Sequence, residues 1–290
     1  MNIRQPFRAG SFYERSAGAC RLQATRLIEA AELPGDLPAR LYGGLVPHAG
    51  WAYSGRLAAL TFKALAAAGR PRTVVLFGSD HTGAAGQGEL YDSGVWRTPL
   101  GEVAVDQELA AELLAACDEL RANPQAHAEE HSLEVQAPLV QMIMPGAKIV
   151  PVTVPPAPLA EHIGEAVGRT LAGRSADVTV VGSTDLTHHG GHFGTWGGRH
   201  EQGVAWTESN DRRMIRIIEA MQADRIVPEA LQNRNACGAG AIAAAVAACR
   251  QMGATRGVCL DYTNSYRVVH QMYPAELDDT TVGYASVVFA

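Results

Sequence analysis

The stretch Thr73-Val74-Val75-Leu76-Phe77-Gly78-Ser79-Asp80-His81 joins five consecutive residues of strand-like character to a polar turn that ends in histidine. A short apolar run bounded by glycine is typical of a strand buried on both faces, as the strands of parallel sheets are. The polar turn then falls at the carboxyl end of the strand, where open parallel sheets bind their ligands. The stretch therefore predicts a buried central strand with a functional residue, His81, at its end.

Three other apolar runs predict strands of the same kind, and segments with helical spacing of apolar residues lie between or after them. These strands are Leu41–Val46, Lys148–Val154 and Val178–Val181, and the apolar helical positions include Leu57, Leu60, Leu109, Leu113, Ile163 and Val167. This alternation predicts an α/β fold with a largely parallel central sheet flanked by helices on both faces. Val258–Leu260 and Val282–Phe289 predict further strands, and we expect the final one to close or edge the sheet.

Length and charge limit the function. The chain has 290 residues without an internal repeat, a charge block or a linker, so we expect a single domain spanning residues 1–290. The formal net charge of −6 argues against nucleic-acid binding, which requires clustered Lys and Arg. We find neither a secretory signal nor an apolar run of the ~20 residues that cross a bilayer. We therefore expect a cytoplasmic protein that acts on a small molecule, with no membrane partner.

Histidines follow three of the predicted strands. His48 comes after Leu41–Val46, His81 ends the stretch quoted above, and His188 comes after Val178–Val181. A local hydrogen bond would explain any one of them alone. Imidazole is a common ligand of transition metals, however, and residues at separate strand ends can meet at one ion. The repetition predicts a mononuclear metal site with His48 and His81 as its surest ligands.

Cys237 is the candidate third ligand, because it lies where an Ala-rich helix is predicted to begin and a helix N-terminus stabilises a thiolate. The alternative is a small residue that allows close packing. Cys249 lies twelve residues further along, ~18 Å away on a helix, and is assigned to packing. The five cysteines form no CxxC pair and do not predict a disulfide framework.

Two pairs with a spacing of three residues are candidates for catalysis. Asp185 can orient the imidazole of His188 or share its pocket, and either can also be a direct ligand. His131 and Glu134 are expected on one face of a helix that Pro138 kinks or divides. The alternative for this second pair is the solvated acidic start of a helix.

The aromatic residues Trp51 and Tyr53 either line a pocket or pack the first helix. The other histidines of the region after Val178–Val181 are expected on loops or at the pocket rim rather than as ligands. They are His189, His192 and His200.

Seven motifs, in the same order over nearly the whole chain, resemble those of the Memo family, the protein B type of the AmmeMemoRadiSam system. They are Ala9-Gly10-Ser11-Phe12-Tyr13, Pro47-His48-Ala49-Gly50, Trp96-Arg97-Thr98-Pro99-Leu100-Gly101, Glu130-His131-Ser132-Leu133-Glu134, Ser183-Thr184-Asp185-Leu186-Thr187-His188, Ala236-Cys237-Gly238 and Val282-Gly283-Tyr284-Ala285. One departure is Gly78-Ser79-Asp80-His81, where Gly-Pro-Ser-His is commoner in the family. Asp80 is therefore expected to alter the shape of this loop or the hydrogen bonds near the site.

The resemblance implies the α/β fold of class III extradiol dioxygenases, which hold Fe(II) with two histidines and a carboxylate. In Memo-like proteins a cysteine replaces the carboxylate. The implied metal ligands are His48, His81 and Cys237. The implied residues around the open face are Asp185, His188 and His131.

We expect a dioxygenase-like, metal-dependent redox enzyme that uses O2 and a small chelating or phenolic substrate, with His188 as acid and base. Fe(II) is the favoured cofactor, and Cu or Zn are alternatives because a thiolate is softer than a carboxylate. One competing hypothesis is a zinc-dependent hydrolase in which His188 or Glu134 assists a bound water. Another is a non-catalytic metal-binding or interaction protein. The resemblance also implies a radical-SAM protein and an accessory protein as partners.

Overall fold

A computed structural model describes residues 2–83, 85–273 and 279–290. The helices are α1 (Ala17–Ala30), α2 (Trp51–Ala68), α3 (Gln107–Ala116), α4 (Ala137–Ile143), α5 (Leu159–Leu171), α6 (His200–Glu219), α7 (Ala223–Asn233), α8 (Ala239–Met252) and α9 (Ser265–Met272). The strands are β1 (Ile3–Arg4), β2 (Gly43–Val46), β3 (Thr73–Gly78), β4 (Gly88–Leu90), β5 (Val95–Thr98), β6 (Gly101–Ala104), β7 (Leu120–Ala122), β8 (Lys148–Thr153), β9 (Val178–Ser183), β10 (His188–His189), β11 (Gly257–Asn264) and β12 (Thr281–Phe289).

The main sheet has the strand order β10-β12-β2-β9-β3-β8-β4-β7, and β11 also pairs with β12. Its four central strands, β2, β9, β3 and β8, are mutually parallel. They correspond to the four apolar runs of the sequence, so the predicted α/β fold with a largely parallel central sheet is confirmed. A smaller sheet of β1, β5 and β6 was not predicted, because its strands are too short to show a clear period.

The final strand was wrongly expected to close or edge the sheet. β12 lies in the interior, antiparallel to β11 on one side and to β2 and β10 on the other. Nearly all of its residues are buried, which suits a strand with neighbours on both sides. β9 also runs further than predicted, because Gly182 and Ser183 still pair with Leu45 and Val46 of β2. The polar Ser183 therefore lies inside the sheet, next to the residue that precedes the loop of His48.

Helices cover both faces of the main sheet. One core contains side chains of α3, α5, α6, α7 and α8, and the opposite core contains side chains of α1, α2 and α4. α8 packs so closely on α5 that a Cβ atom at Gly164 would lie only 2.3 Å from the carbonyl oxygen of Ala244. Cys249 is buried in this core, where packing was predicted. Within the described ranges, none of the helices has the length and apolar character needed to cross a bilayer.

The segment around His131 differs from the predicted helix. A single 3₁₀ turn (Glu134–Gln136) leads into α4, and Pro138 lies in the first turn of α4, where it interrupts no helical hydrogen bond. The helix is therefore not kinked by Pro138, and His131 precedes it in irregular backbone. The alternative of a solvated acidic helix start is also wrong for Glu130, which is 1% exposed.

Candidate metal centre

Three residues predicted as metal ligands come together at the carboxyl edge of the parallel strands. His48 follows β2, His81 follows β3, and Cys237 precedes α8. One ligand atom from each, a ring nitrogen or the cysteine sulfur, lies within 4.8 Å of the other two. His48 Nε2 is 3.1 Å from Cys237 Sγ. The structure thus brings together the three residues that the sequence predicted as ligands, and the metal itself stays a prediction.

The second nitrogen of each histidine is held by a neighbouring group. Ser183 Oγ donates to the carbonyl oxygen of Ser132 (2.7 Å) and lies 3.1 Å from His48 Nδ1. Because the hydroxyl proton is used in this way, Ser183 accepts a hydrogen bond from Nδ1–H of His48. His81 Nδ1 is 2.9 Å from a carboxylate oxygen of Glu130, which can only accept when ionised. Both rings therefore carry a proton on Nδ1 and direct Nε2 towards the site.

Glu130 is the main residue of the site that the sequence did not single out. Its carboxylate also accepts the backbone N–H groups of His81 (2.7 Å) and Ser132 (2.8 Å). Burial raises the pKa of Glu130, but its hydrogen bonds and the charge of His81 outweigh burial and hold it well below the usual range. For His81 burial lowers the pKa, whereas hydrogen bonds to Cys237 and Glu130 raise it to about 10. Glu130 is therefore an ionised carboxylate, and it fixes the ring of His81.

Cys237 is held close to the end of β9. Its backbone N–H donates to the carbonyl oxygen of Asp185 (3.2 Å), and the next residue, Gly238, donates to Thr184 Oγ1 (3.0 Å). Burial raises the pKa of the Cys237 thiol, but the charge of His48 and hydrogen bonds to both ligand histidines outweigh it and lower the pKa to about 6. The geometry therefore favours a thiolate near neutral pH.

Asp185 binds the loop of His48 rather than the ring of His188. Its Oδ1 accepts the backbone N–H groups of His48 (2.8 Å) and Ala49 (3.3 Å). Burial raises the pKa of Asp185, and the charge of His188 and these hydrogen bonds oppose the rise without cancelling it. His188 Nδ1 lies 3.0 Å from the carbonyl oxygen of Leu186, which can only accept a hydrogen bond. Nδ1 therefore carries a proton, and the lone pair of the neutral ring is on Nε2.

A cavity of about 480 Å³ adjoins these residues. Its polar wall contains His48, His81, His131, Asp185 and His188, and its aromatic wall contains Phe12, Tyr53, Phe193, Tyr266 and Tyr284. The ring centroid of His131 lies 4.5 Å from that of His81 and 5.5 Å from that of His48. Burial and the charges of His48 and His81 lower the pKa of His131 to about 3. His131 is therefore a neutral imidazole at pH 7.

Three residues considered for the pocket have other positions. Trp51 is 2% exposed and donates through Nε1 to the carbonyl oxygen of Val135 (3.0 Å), so it packs the core, whereas Tyr53 lines the cavity. Asp80 accepts the backbone N–H of Ala85 (3.0 Å) and thereby shapes the loop after His81.

Glu134 is the third, and it is not among the residues that line the cavity. Its carboxylate pairs with Arg4 (2.8 Å) and accepts from Tyr13 Oη (2.8 Å) and from the backbone N–H groups of Phe7 and Arg8. It therefore anchors the N-terminal segment and is not placed to assist a reaction in the cavity. Residues three apart face the same way only on a helix, and no helix of the described residues contains both His131 and Glu134. Their separation of three residues therefore did not indicate a common pocket.

His189, His192 and His200 also differ from one another in position. His189 belongs to β10, is 1% exposed and stacks on Trp196 with ring centroids 5.4 Å apart, so the expected loop or rim position is wrong for it. His192 is exposed in the loop between β10 and α6, as expected, and His200 is the first residue of α6. Their positions separate them from the cluster of His48, His81 and Cys237.

Comparisons with known proteins found relatives over nearly the whole chain. A family model described as Memo-like protein matches residues 4–288. A MEMO1 family protein of Methanopyrus kandleri is 35% identical, covering 99% of this chain and 98% of that protein. A MEMO1 family protein of Methanothermobacter thermautotrophicus is 36% identical, covering 98% and 99%. The crystal structure of an uncharacterized protein from Escherichia coli K12 aligns with a TM-score of 0.47 at 14% identity, covering 77% of this chain and 90% of that one.

The lowered pKa of Cys237 predicts selective alkylation of the metal-free protein. Burial raises the pKa values of Cys20, Cys117 and Cys259 to about 11, and burial also raises that of Cys249. We expect the rate of iodoacetamide labelling at Cys237 to rise with pH, reach half its maximum near pH 6 and level off by about pH 7. Mass spectrometry of tryptic peptides measures the rate at each site. A rate that still rises between pH 8 and 9 would contradict the thiolate.

Glu130→Gln tests how His81 is held. The amide keeps an acceptor but removes the negative charge that holds the ring of His81, and loss of such a partner weakens metal affinity by about 10–100-fold. Competition of the purified protein with a chelator measures the affinity, and thermal unfolding shows whether the variant folds. The matched control is Glu129→Gln, since Glu129 is the exposed neighbouring residue. Equal affinity in the Glu130 and Glu129 variants would show that Glu130 has no part in the site.

Proposed function

This chain belongs to the Memo family, and from that premise we propose that it is a mononuclear metal-dependent redox enzyme acting with O2 on a small phenolic or chelating substrate. The observation that carries the proposal is the meeting of His48, His81 and Cys237 beside an aromatic-walled cavity. Three protein ligands and an adjoining cavity are the arrangement that a catalytic metal requires, whereas a structural site is closed by a fourth ligand.

The donor set suits Fe(II), with Cu and Zn as alternatives. His48 and His81 direct Nε2 to the site because Ser183 and Glu130 hold their Nδ1 atoms. The lowered pKa of Cys237 and the raised pKa of His81 describe a thiolate beside an imidazolium. Binding of a metal would release the Nε2 proton of His81, because that nitrogen is the ligand. When bound, Fe(II) supplies the one-electron chemistry by which O2 reacts with an organic molecule.

His188 is the residue that we assign to proton transfer. Its Nδ1–H is held by the carbonyl oxygen of Leu186, and the ring lines the cavity, so Nε2 can accept the hydroxyl proton of a phenol and return it. His131 lines the same cavity, but its lowered pKa makes it a poor base near neutral pH. We therefore assign His131 a hydrogen-bonding role and Asp185 the role of positioning the loop of His48.

The aromatic wall supports a planar substrate. Phe12, Tyr53 and Tyr284 line the cavity, and aromatic rings bind a planar ring by stacked or edge contacts. Phe193 lies against His188 with ring centroids 5.0 Å apart, edge to face. These side chains place apolar surface beside the proton that His188 is proposed to move.

Zinc-assisted hydrolysis is the second candidate, and the thiolate of Cys237 is the observation that favours it, because thiolates are preferred ligands of zinc. In this case His188 would assist a water, since Glu134 is bound to Arg4 and Tyr13. Hydrolysis needs no O2, so activity under anaerobic conditions separates the two candidates. A radical-SAM protein and an accessory protein are proposed as partners of either activity on family resemblance.

His188→Ala tests the assignment of proton transfer. We expect the variant to retain the metal content of the parent and to consume O2 about 10²–10⁴-fold more slowly with catechol or 4-hydroxybenzyl alcohol as probes. An oxygen electrode and elemental analysis give the two measurements. His192→Ala is the matched control, because His192 is exposed in the following loop. Equal O2 consumption in the parent and His188→Ala would remove His188 from the mechanism, and an iron-loaded parent that oxidises no phenol would favour a non-catalytic protein.

A further inference from the structure

The ring of His81 lies between two hydrogen-bond acceptors, one at each of its nitrogens. Nδ1 is 2.9 Å from Oε1 of Glu130, and the ring also forms a hydrogen bond with the side chain of Cys237. A neutral imidazole has one N–H and one lone pair, so it binds a metal through only one of these nitrogens at a time. The candidate metal centre uses the nitrogen that faces Cys237. The nitrogen that faces Glu130 is a second place where a metal can meet the same ring.

A second cluster of ligand atoms surrounds that nitrogen. One ligand atom each of His81, Glu130 and His131 lies within 4.8 Å of the other two. Nδ1 of His131 is 3.7 Å from Oε1 of Glu130, which is too far for a hydrogen bond between them. Ligand atoms that bind one ion at about 2.1 Å lie about 3 to 4 Å apart. The separations of 2.9 Å and 3.7 Å around Oε1 of Glu130 therefore suit a shared ion.

The cluster is accessible from the cavity, and its carboxylate is held in place by the backbone. His81 and His131 both line the cavity, whereas Glu130 is 1% exposed. The backbone N–H groups of His81 (2.7 Å) and Ser132 (2.8 Å) donate to the carboxylate of Glu130. A metal in the cluster would replace the Nδ1 proton of His81 and leave both of these backbone hydrogen bonds intact. The ligand oxygen is therefore already fixed before a metal binds.

From this geometry we propose that His81, Glu130 and His131 form a second metal position, which binds a hard divalent cation such as Mn(II) and competes with the candidate metal centre for the ring of His81. A carboxylate is a hard ligand that suits Mn(II), whereas a thiolate such as that of Cys237 selects soft ions such as Cu(I). Mn(II) is also the weakest binder in the affinity order of divalent first-row transition metals. We therefore expect the second position to fill only when the cation is added. The metal content of protein purified without added metal then reports on the centre that contains Cys237.

The test is a titration of the metal-free protein with Mn(II), in which the electron paramagnetic resonance signal of the free ion measures binding. We expect His131→Ala to weaken Mn(II) binding by at least about tenfold, because a ligand is lost, and Cys237→Ala to leave it within about twofold. His192→Ala is the matched control, because His192 is an exposed histidine of the loop between β10 and α6. Thermal unfolding shows whether each variant folds.

Competition with Cu(I) tests the shared ring in the parent protein and needs no variant. One equivalent of Cu(I), added anaerobically, is expected to bind at Cys237 and to weaken Mn(II) binding by at least about tenfold, because the lone pair of His81 is then used at the other nitrogen. Equal Mn(II) affinity with and without Cu(I) would overturn the sharing of His81. A parent that binds no Mn(II), or a His131→Ala variant that binds it as tightly as the parent, would overturn the second position.

The outcome is independent of the proposed redox function, because these titrations need neither O2 nor a substrate. Binding of Mn(II) as predicted by a protein that oxidises no phenol would support the second position and count against the proposed function. Oxidation of a phenol by an iron-loaded protein that binds no Mn(II) would sustain the proposed function and reject the second position.

Discussion

The parallel pairing of β2, β9 and β3 is the constraint on which the site depends. β9 lies between the other two strands, so their carboxyl ends meet on either side of it. Ser183, its last residue, accepts from His48, and the next two residues hold the backbone around Cys237 and His48. A shift of register by one residue would turn these side chains to the opposite face of the sheet. The ligand geometry is thus set by sheet pairing together with the hydrogen bonds that hold the loops of the ligands.

The acidic side chains around the site each bind a separate partner, because burying an unpaired charge is costly. Glu130 is paired with His81, Glu134 with Arg4, and Asp185 accepts two backbone N–H groups, so each buried carboxylate has its own partners. Besides Asp185, imidazoles and aromatic rings form much of the cavity wall. Such a wall can move protons and bind planar molecules, which is the chemistry proposed for the protein.

The sequence predicted those parts of the fold and site that local patterns encode. Four apolar runs became the central parallel strands, and the residues quoted at their ends include the histidines that meet Cys237. It did not reveal the partner of His81, because Glu130 is 49 residues away in the chain and its neighbourhood depends on tertiary packing. Trp51 was ambiguous for a related reason, since an aromatic residue after a ligand fits a core or a pocket equally well. The interior position of β12 likewise depends on pairing partners that its own residues do not specify.

The most direct test of the account is the metal content of protein purified anaerobically without added metal, compared with Cys237→Ala and with Cys249→Ala as the buried-cysteine control. The account predicts about one iron or copper per chain, retained in Cys249→Ala and lost in Cys237→Ala. Zinc in place of these metals would support the site and contradict the redox function. Absence of metal from the parent, or full metal content in Cys237→Ala, would contradict the three-ligand site itself.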